Sequence, residues 1–229
     1  CIRDSFLVGS QIVKKSVEFC GIDESAIAVN PYGVDIRKFY ALPEKNVSAP
    51  LKLIVVGQLN RRKGIHQLLE VVEKYRADEV TLDLAGGYEA TSDIYLKYKD
   101  CENIRFHGFV THDILYKMYQ ESHVFVLPSF AEGMALVGLE ALASGLPLLC
   151  SDCTGVNDLV IPYENGIVTR AGEIEDIKVG IDWFLANLNR IPEMSIKARK
   201  KAEEYSWKAY YKRTIDYVNC FLEQQKYKE

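Results

Sequence analysis

Residues 128–147, PSFAEGMALVGLEALASGLP, carry two carboxylates eight positions apart in otherwise apolar sequence. The stretch follows an apolar run at 123–127 and leads into another at 146–150. Between Gly133 and Ser151 the only charged residue is Glu140. A helix that is apolar on nearly every side is expected to be buried. A lone carboxylate in such a helix is costly unless something satisfies it. Glu132 sits where the loop becomes the helix. The fold must therefore bury this helix between strands and give Glu140 something to hold.

The surrounding pattern supplies strands. Residues 51–56, 80–85, 123–127 and 146–150 are largely apolar runs, 103–107 reads as a short strand ending at Gly108, and intervening segments have helical spacing, as in Ile65, Leu68, Leu69, Val72 and Tyr75. Helices are expected over 91–98 and after Thr111, and further short strands at 159–161 and 166–169. Strand and helix alternating with short connections imply parallel strands joined by helical crossovers, with helices on both faces, which is an α/β fold with a Rossmann-like parallel sheet. Ligands of such sheets bind beyond the carboxyl ends of the strands. Loops 57–64, 86–88, 107–110, 128–134 and 151–156 each follow a strand, so all five are expected at one edge.

On either side of this unit the sequence changes character. Residues 11–19 read as a short amphipathic helix with Ser10 as N-cap and Gly21 past its end. Residues 26–30 read as a strand, and 41–50, with two Pro, Asn46 and Ser48, as a linker. From Glu173 the chain is mostly helical, and Ser206 is placed to cap a last helix. Residues 197–213 are rich in Lys and Arg, which suits a solvated helix face or, alternatively, contact with an anionic membrane surface or a further domain. The chain opens on Cys1 in what reads as the middle of a fold, so it is expected to be an excised piece of a longer protein.

Composition excludes several classes. The 229 residues carry a formal net charge of -4, which argues against nucleic-acid binding through phosphate neutralisation. The weakly charged run from 133 to 151 holds Glu140, internal Gly and Pro147, and is not a membrane span. Among the six Cys only Cys150 and Cys153 have C-x-x-C spacing, and no second pair completes a zinc site. No metal is expected, and scattered thiols suit a reducing cytoplasm.

Distances then suggest a ligand. At 1.5 Å per residue Glu132 and Glu140 are at most about 12 Å apart along a helix axis, roughly a diphosphate with a sugar ring at each end. Carboxylates accept from paired sugar hydroxyls. The N–H groups of Met134, Ala135 and Leu136 would open the helix between them and attract phosphate. Gly133 lets backbone approach a ligand. The bland alternatives are a buried ion pair for Glu140 and partnership with the helix N-terminus for Glu132. In the loop after the first of these strands, Arg61, Arg62 and Lys63 are adjacent cations able to neutralise a diphosphate.

These residues resemble the retaining GT-B glycosyltransferases, especially family 4. Glu132 and Glu140 look like that family's E-x7-E signature. Asn30-Pro-Tyr-Gly-Val-Asp35 with Phe39, the loop from Val56 to Gly64, Phe106-His-Gly-Phe-Val110, Val124-Phe-Val-Leu-Pro-Ser129 and Asn165-Gly166 follow in the family's order. The resemblance implies that Glu132 holds the transferred sugar and Glu140 the ribose of a nucleotide diphosphate sugar. It implies that Lys63 contacts the diphosphate, that Gly133, Met134, Ala135, Leu136 and Val137 line sugar and phosphate, and that Gly108, Phe109 and Val110 border the base. The sequence departs at Gln58, where the family often has a second diphosphate-binding Arg; Arg62, or else Arg61, is expected to supply that charge. Ala135 stands where Gly or Pro is frequent.

The same resemblance divides the chain. Residues 1–45 would be the remnant of an N-terminal acceptor-binding domain with its linker, 46–205 the nucleotide-sugar-binding domain, and 206–229 a C-terminal helix that crosses back. The function implied is the donor-binding half of a hexosyltransferase of surface polysaccharide or glycoconjugate synthesis, cytoplasmic or at the inner face of a membrane. It would use no cofactor beyond the sugar donor, and the fragment alone would be inactive. The competing readings are a nucleotide-binding module without transfer activity, which Gln58 favours, and another GT-B enzyme such as a nucleotide-sugar epimerase.

Overall fold

Parallel strands joined by helices begin near the start of the computed structural model, which describes residues 5–42 and 47–226. Strand β1 (Phe6–Val8), helix α1 (Gln11–Phe19) and strand β2 (Ile27–Val29) form a small βαβ piece, β1 and β2 pairing in parallel. Ser10 caps α1, its hydroxyl accepting from the Val13 N–H. The linker expected over 41–50 lies partly outside the described residues.

The main unit follows as β3 (Leu51–Val56), α2 (Ile65–Val72), β4 (Val80–Ala85), α3 (Asp93–Tyr98), β5 (Ile104–Gly108), α4 (His112–Glu121), β6 (Val124–Leu127), α5 (Leu136–Ala143), β7 (Leu148–Ser151) and β8 (Gly166–Thr169). The six strands pair in parallel in the order β5-β4-β3-β6-β7-β8. Central strands β6 and β7 are buried along their whole length, which is why they read as unbroken apolar runs rather than as alternating ones. One core cluster holds Phe125, Leu127, Leu139, Leu142 and Tyr119, and another holds Leu53, Val55, Leu68, Val126 and Phe184. The sheet is thus covered by helices on both faces, as the alternation of elements implies.

Strand order creates the crevice. Chain succession runs outward from β3 to β4 and β5, then returns to β6 on the other side of β3. The loops after β3 and β6 therefore diverge at a switch point, the place where doubly wound sheets bind ligands. Gly64 lets those two loops meet. Its φ is +68°, and a Cβ there would overlap the Pro128 carbonyl oxygen, so a side chain is excluded by both conformation and space.

The C-terminal part is helical: α6 (Ile174–Ala186), α7 (Ile191–Glu203) and α8 (Trp207–Lys226). Helix α7 packs on α5. Ser206 caps α8, its Oγ accepting from the Ala209 N–H at 3.2 Å. Helix α8 returns to the leading βαβ piece. Asn30 donates to Thr214 Oγ1 at 2.9 Å and accepts from Arg213 Nε at 2.7 Å, and the Tyr217 hydroxyl donates to the Val29 carbonyl at 3.1 Å. In the basic stretch Lys197 pairs with Glu193 and Lys201 with Glu204, while Arg199 pairs with Glu203 and also donates to the Phe39 and Ala143 carbonyls at 2.7 and 2.8 Å. Among the described residues no helix is long and apolar enough to cross a membrane.

Three local expectations are corrected. Residues 159–161 are not a strand: Val156–Leu159 forms a 3-10 turn that buries Val156 and Leu159. Of the run at 159–161 only Leu159 is buried, and Ile161 is exposed. Helix α3 starts at Asp93 with Ser92 as its cap, rather than at Thr91. Helix α5 starts at Leu136, so Met134 and Ala135 belong to the preceding loop.

Candidate functional site

Loops from β3, β4, β5, β6 and β7 meet at the carboxyl edge of the sheet. The Gly86 N–H donates to Gly108 at 2.8 Å, the Leu59 N–H to Gly87 at 2.8 Å, and the Phe130 N–H to the Arg62 carbonyl at 2.8 Å. The Glu132 N–H donates to Cys153 at 2.8 Å and the Ala135 N–H to Thr154 at 3.2 Å. All five loops named from sequence therefore interlock, as parallel strands require.

Glu132 lies at the junction of the β3 and β6 loops. A 3-10 turn over Arg61–Lys63 follows β3, with Asn60 Oδ1 accepting from the Lys63 N–H at 3.1 Å. This turn aims two cations at Glu132: Lys63 Nζ is 2.6 Å and Arg62 Nη1 2.8 Å from the same Oε1 atom. Arg62 Nη1 also donates to the Ala131 carbonyl at 2.6 Å. The Lys63 and Glu132 side chains are 12% and 14% exposed against 53% for Arg62, so the Lys63 pair is the better shielded from water and salt. Arg61 lies instead within electrostatic reach of His66, whose pKa is lowered by burial first and then by that charge. Glu132 is thus an ion-pair partner of the β3 loop rather than of a helix terminus.

Loop 128–135 is clamped from several sides. A Cβ on Gly155 would overlap the Gly133 carbonyl oxygen, and Gly155 has a φ of +69°. From the other side the buried Ser10 hydroxyl donates to that same Gly133 carbonyl. Asp158 Oδ2 accepts from the Gln11 N–H at 2.7 Å and fixes the start of α1 against this loop. Sequence reading finds Ser10 only as a helix cap; its contact 123 residues away has no local signal.

Helix α5 then carries Val137 and Glu140. No side chain caps its start, which leaves first-turn N–H groups for water or an anion. The expectation of three free N–H groups at Met134, Ala135 and Leu136 needs correction, because Ala135 donates to Thr154. Met134 and Ala135 are buried, and Leu136 is 41% exposed.

Glu140 differs from Glu132. Among the described residues it has no ion pair; its partner is the Tyr119 hydroxyl, 3.4 Å from Oε2. Burial pushes its carboxyl up to about 7, against a weaker opposing pull from Tyr119. The buried-ion-pair alternative is therefore not what the structure contains. Instead Glu140 lines a cavity of about 200 Å3 together with Lys38, His112, Tyr116, Leu136 and Trp207. Of these lining residues sequence analysis named Leu136 and missed Lys38, His112, Tyr116 and Trp207, although Tyr116 falls one helical turn from His112. Gly108, Phe109 and Val110 do not line the cavity. The Phe109 ring, 92% exposed, lies across Gly87 at the β4 loop.

Cys150 is fully buried and its thiol is pushed up to about 12 by that burial, the condition of an inert core thiol.

A GT-B-like α/β fold with two carboxylates at its switch point defines the general class, and comparison with known proteins narrows it. Residues 40–205 match the family described as glycosyl transferases group 1. The match takes in more than half of the chain, and the chain belongs to that family. It is 30% identical over 203 residues to the O-antigen biosynthesis glycosyltransferase WbnH of Escherichia coli, covering 88% of this chain and 56% of that protein. Among solved structures it superposes on Anabaena HepE, in complex with UDP and glucose, with a TM-score of 0.81 and 16% identity over 95% of this chain and 63% of that one. It also superposes on sucrose-phosphate synthase of Thermosynechococcus elongatus, with a TM-score of 0.78 and 22% identity over 95% of this chain and 58% of that one. The chain spans about half the length of the curated relatives it matches.

Proposed function

We propose that this chain is the donor-binding half of a retaining, family 4-like glycosyltransferase that moves a hexose from a nucleotide diphosphate sugar to an acceptor. The observation that carries this reading is the convergence of Lys63 and Arg62 on Glu132 at the switch point, with Glu140 about one turn along the helix that follows. Cations suited to a diphosphate adjoin a carboxylate suited to sugar hydroxyls, and a second carboxylate follows for ribose hydroxyls. HepE, solved with UDP and glucose, supports a nucleotide sugar, and WbnH, named for O-antigen biosynthesis, supports a surface polysaccharide as the product. In this reading residues 1–45 belong to an acceptor-binding domain. The enzyme works in the cytoplasm, at the inner face of a membrane.

The roles follow from charge. Glu132 orients the transferred sugar and is not a nucleophile. An acceptor hydroxyl attacks the anomeric carbon on the face that the diphosphate leaves. The anomeric C–O bond to the diphosphate breaks as the new one forms, and the hydroxyl proton passes to the departing phosphate oxygen. Lys63, Arg62 and the α5 N-terminus stabilise the negative charge that develops there. Arg62 supplies the second cation that Gln58 does not. The loop from Gly108 through Phe109 to Val110 borders the nucleoside.

Calorimetric titration with UDP, GDP and ADP tests the reading. Glu140→Gln should weaken each diphosphate that binds, and Lys63→Ala should weaken diphosphates more than nucleosides. A chain that binds none of the three, and whose melting is indifferent to them, is not a donor-binding half.

A further inference from the structure

The turn between β1 and α1 presses on the loop that carries Glu132. A Cβ on Gly9 would lie 3.2 Å from the Met134 Cβ, and one on Gly133 would lie 3.6 Å from Val13 Cγ2. Ser10, fully buried, joins the two segments. Its Oγ accepts from the Val13 N–H at 3.5 Å, and its hydroxyl donates to the Gly133 carbonyl. Gly155 stands close to that same oxygen, and a Cβ there would come within 2.4 Å of it. The carbonyl is held between Ser10 and Gly155, so the peptide plane joining Gly133 to Met134 is fixed.

A trans peptide is planar, and its N–H points opposite to its C=O. With the Gly133 carbonyl directed at Ser10, the Met134 N–H is directed away from Ser10. Its neighbours are already used: the Glu132 N–H donates to Cys153 and the Ala135 N–H to Thr154. Among the described residues the Met134 N–H has no partner, although Met134 is only 8% exposed. A buried backbone donor left unpaired is costly, and a ligand oxygen relieves that cost. Glu132 stands two residues earlier. A hydroxyl both donates and accepts, so a carboxylate and an amide N–H on one loop match the hydroxyls of a sugar.

We propose that Ser10 is a positioning residue of the donor site: by holding the Gly133 carbonyl it aims the Met134 N–H at a hydroxyl of the transferred sugar. The inference rests on the donor-site reading above and deepens it. Ser10 itself does not touch the donor. It acts through one peptide plane, from a position 123 residues away in sequence, so the leading βαβ piece sets the geometry at the sugar end of the site.

The test is calorimetry on the full chain with UDP-glucose, GDP-mannose and ADP-glucose, each beside its nucleoside diphosphate. Ser10→Ala should weaken the nucleotide sugar that binds tightest by about fivefold, the scale of one neutral hydrogen bond, and leave the matching diphosphate unaffected. Ser10→Thr, which keeps the hydroxyl, should restore the affinity. Val13→Ala loosens the same seat without removing the hydroxyl and should leave both ligands unchanged. A second readout comes from Met134, one of three Met, whose amide is followed in chain labelled with 15N-methionine. The nucleotide sugar should shift that signal in the unsubstituted chain and not in Ser10→Ala. Equal losses for sugar and diphosphate, a Val13→Ala variant that reproduces the loss, or a Met134 signal that shifts alike in both chains overturns the assignment. If a nucleotide sugar binds and Lys63→Ala weakens it while Ser10→Ala does not, only the positioning role fails. If no nucleotide binds, the donor-site reading fails and the role of Ser10 with it.

Discussion

Glu132 and Glu140 stand eight residues apart in one stretch, and the fold treats them in opposite ways. Glu132 receives two cations on one oxygen. Among the described residues the Glu140 carboxylate receives a phenol at 3.4 Å and no cation, and burial pushes it up to about 7. The first is compensated within the protein: the cations that would meet a diphosphate are already held in place, so little reorganisation is needed when the ligand arrives. The second is left uncompensated, a cost to the folded state that binding can relieve. A carboxylate kept at a stability cost beside a cavity points to ligand binding more strongly than one buried in ion pairs, because ion pairs have a structural explanation of their own.

The comparison can be broken at either end. Lys63→Met removes the shielded cation and leaves Glu132 to the more exposed Arg62. Nucleoside diphosphate affinity should fall by about a hundredfold, in the range for truncating one member of a close charged contact, as read by calorimetry. Glu140→Gln should do something different. It should weaken nucleotide binding by about tenfold, the scale of a lost hydrogen bond to a charged group, yet stabilise the free protein. The Glu140 pKa in the folded chain is about 7 against the usual 4.5, so between those values the folded state holds a proton that the unfolded state releases. That contribution to stability is complete below pH 4.5 and lost as pH rises through 7. Urea unfolding at pH 8 should show Glu140→Gln more stable by about 2 kcal/mol, with a flatter pH dependence. Equal destabilisation by both substitutions would remove the distinction between the two ends.

Smaller effects sharpen the picture. Ser10→Ala leaves the Gly133 carbonyl without its hydroxyl partner and should cost about 1 kcal/mol, lowering Tm by about 2–4 °C. Tyr119→Phe removes the only hydrogen bond to the Glu140 carboxylate seen among the described residues. It should change stability by less than about 1 kcal/mol and move the Glu140 titration upward, visible as a shift in the pH at which stability declines. Finally, Lys63→Met and Glu140→Gln have no shared partner, so their effects on nucleotide affinity should add within about 0.5 kcal/mol. Strong coupling would mean that the two ends act as one unit.

Much of this was legible in the chain. Strand runs at 51–56 and 80–85 are found where expected, because an apolar, β-branched run has few other uses in a sheet covered on both faces. That Glu132, Arg62 and Lys63 belong to one edge followed from parallel connectivity alone. Other features resisted reading. The run at 159–161 looks like a strand, but Gly155 sets up a 3-10 turn that places Val156 and Leu159 in the core. Residues 134 and 135 look helical, but the Ala135 N–H is taken by Thr154, a partner that no local pattern announces. His112 and Tyr116 read only as members of the helix expected after Thr111.

By itself, then, the sequence determined the alternation of elements, the edge where ligands meet the sheet and the identity of the charged residues there. Those properties depend on hydrophobic period and residue type, which are local. Tertiary structure decided which carboxylate would be neutralised. Strand order brought the β3 loop, with Lys63 and Arg62, against Glu132. Segment 33–39, α4 and the start of α8 came together around Glu140 in a cavity, where among the described residues its carboxylate has no ion pair. Both outcomes depend on which distant residues come within a few ångströms, and the strength of a charge interaction is set by that distance and by the water excluded around it.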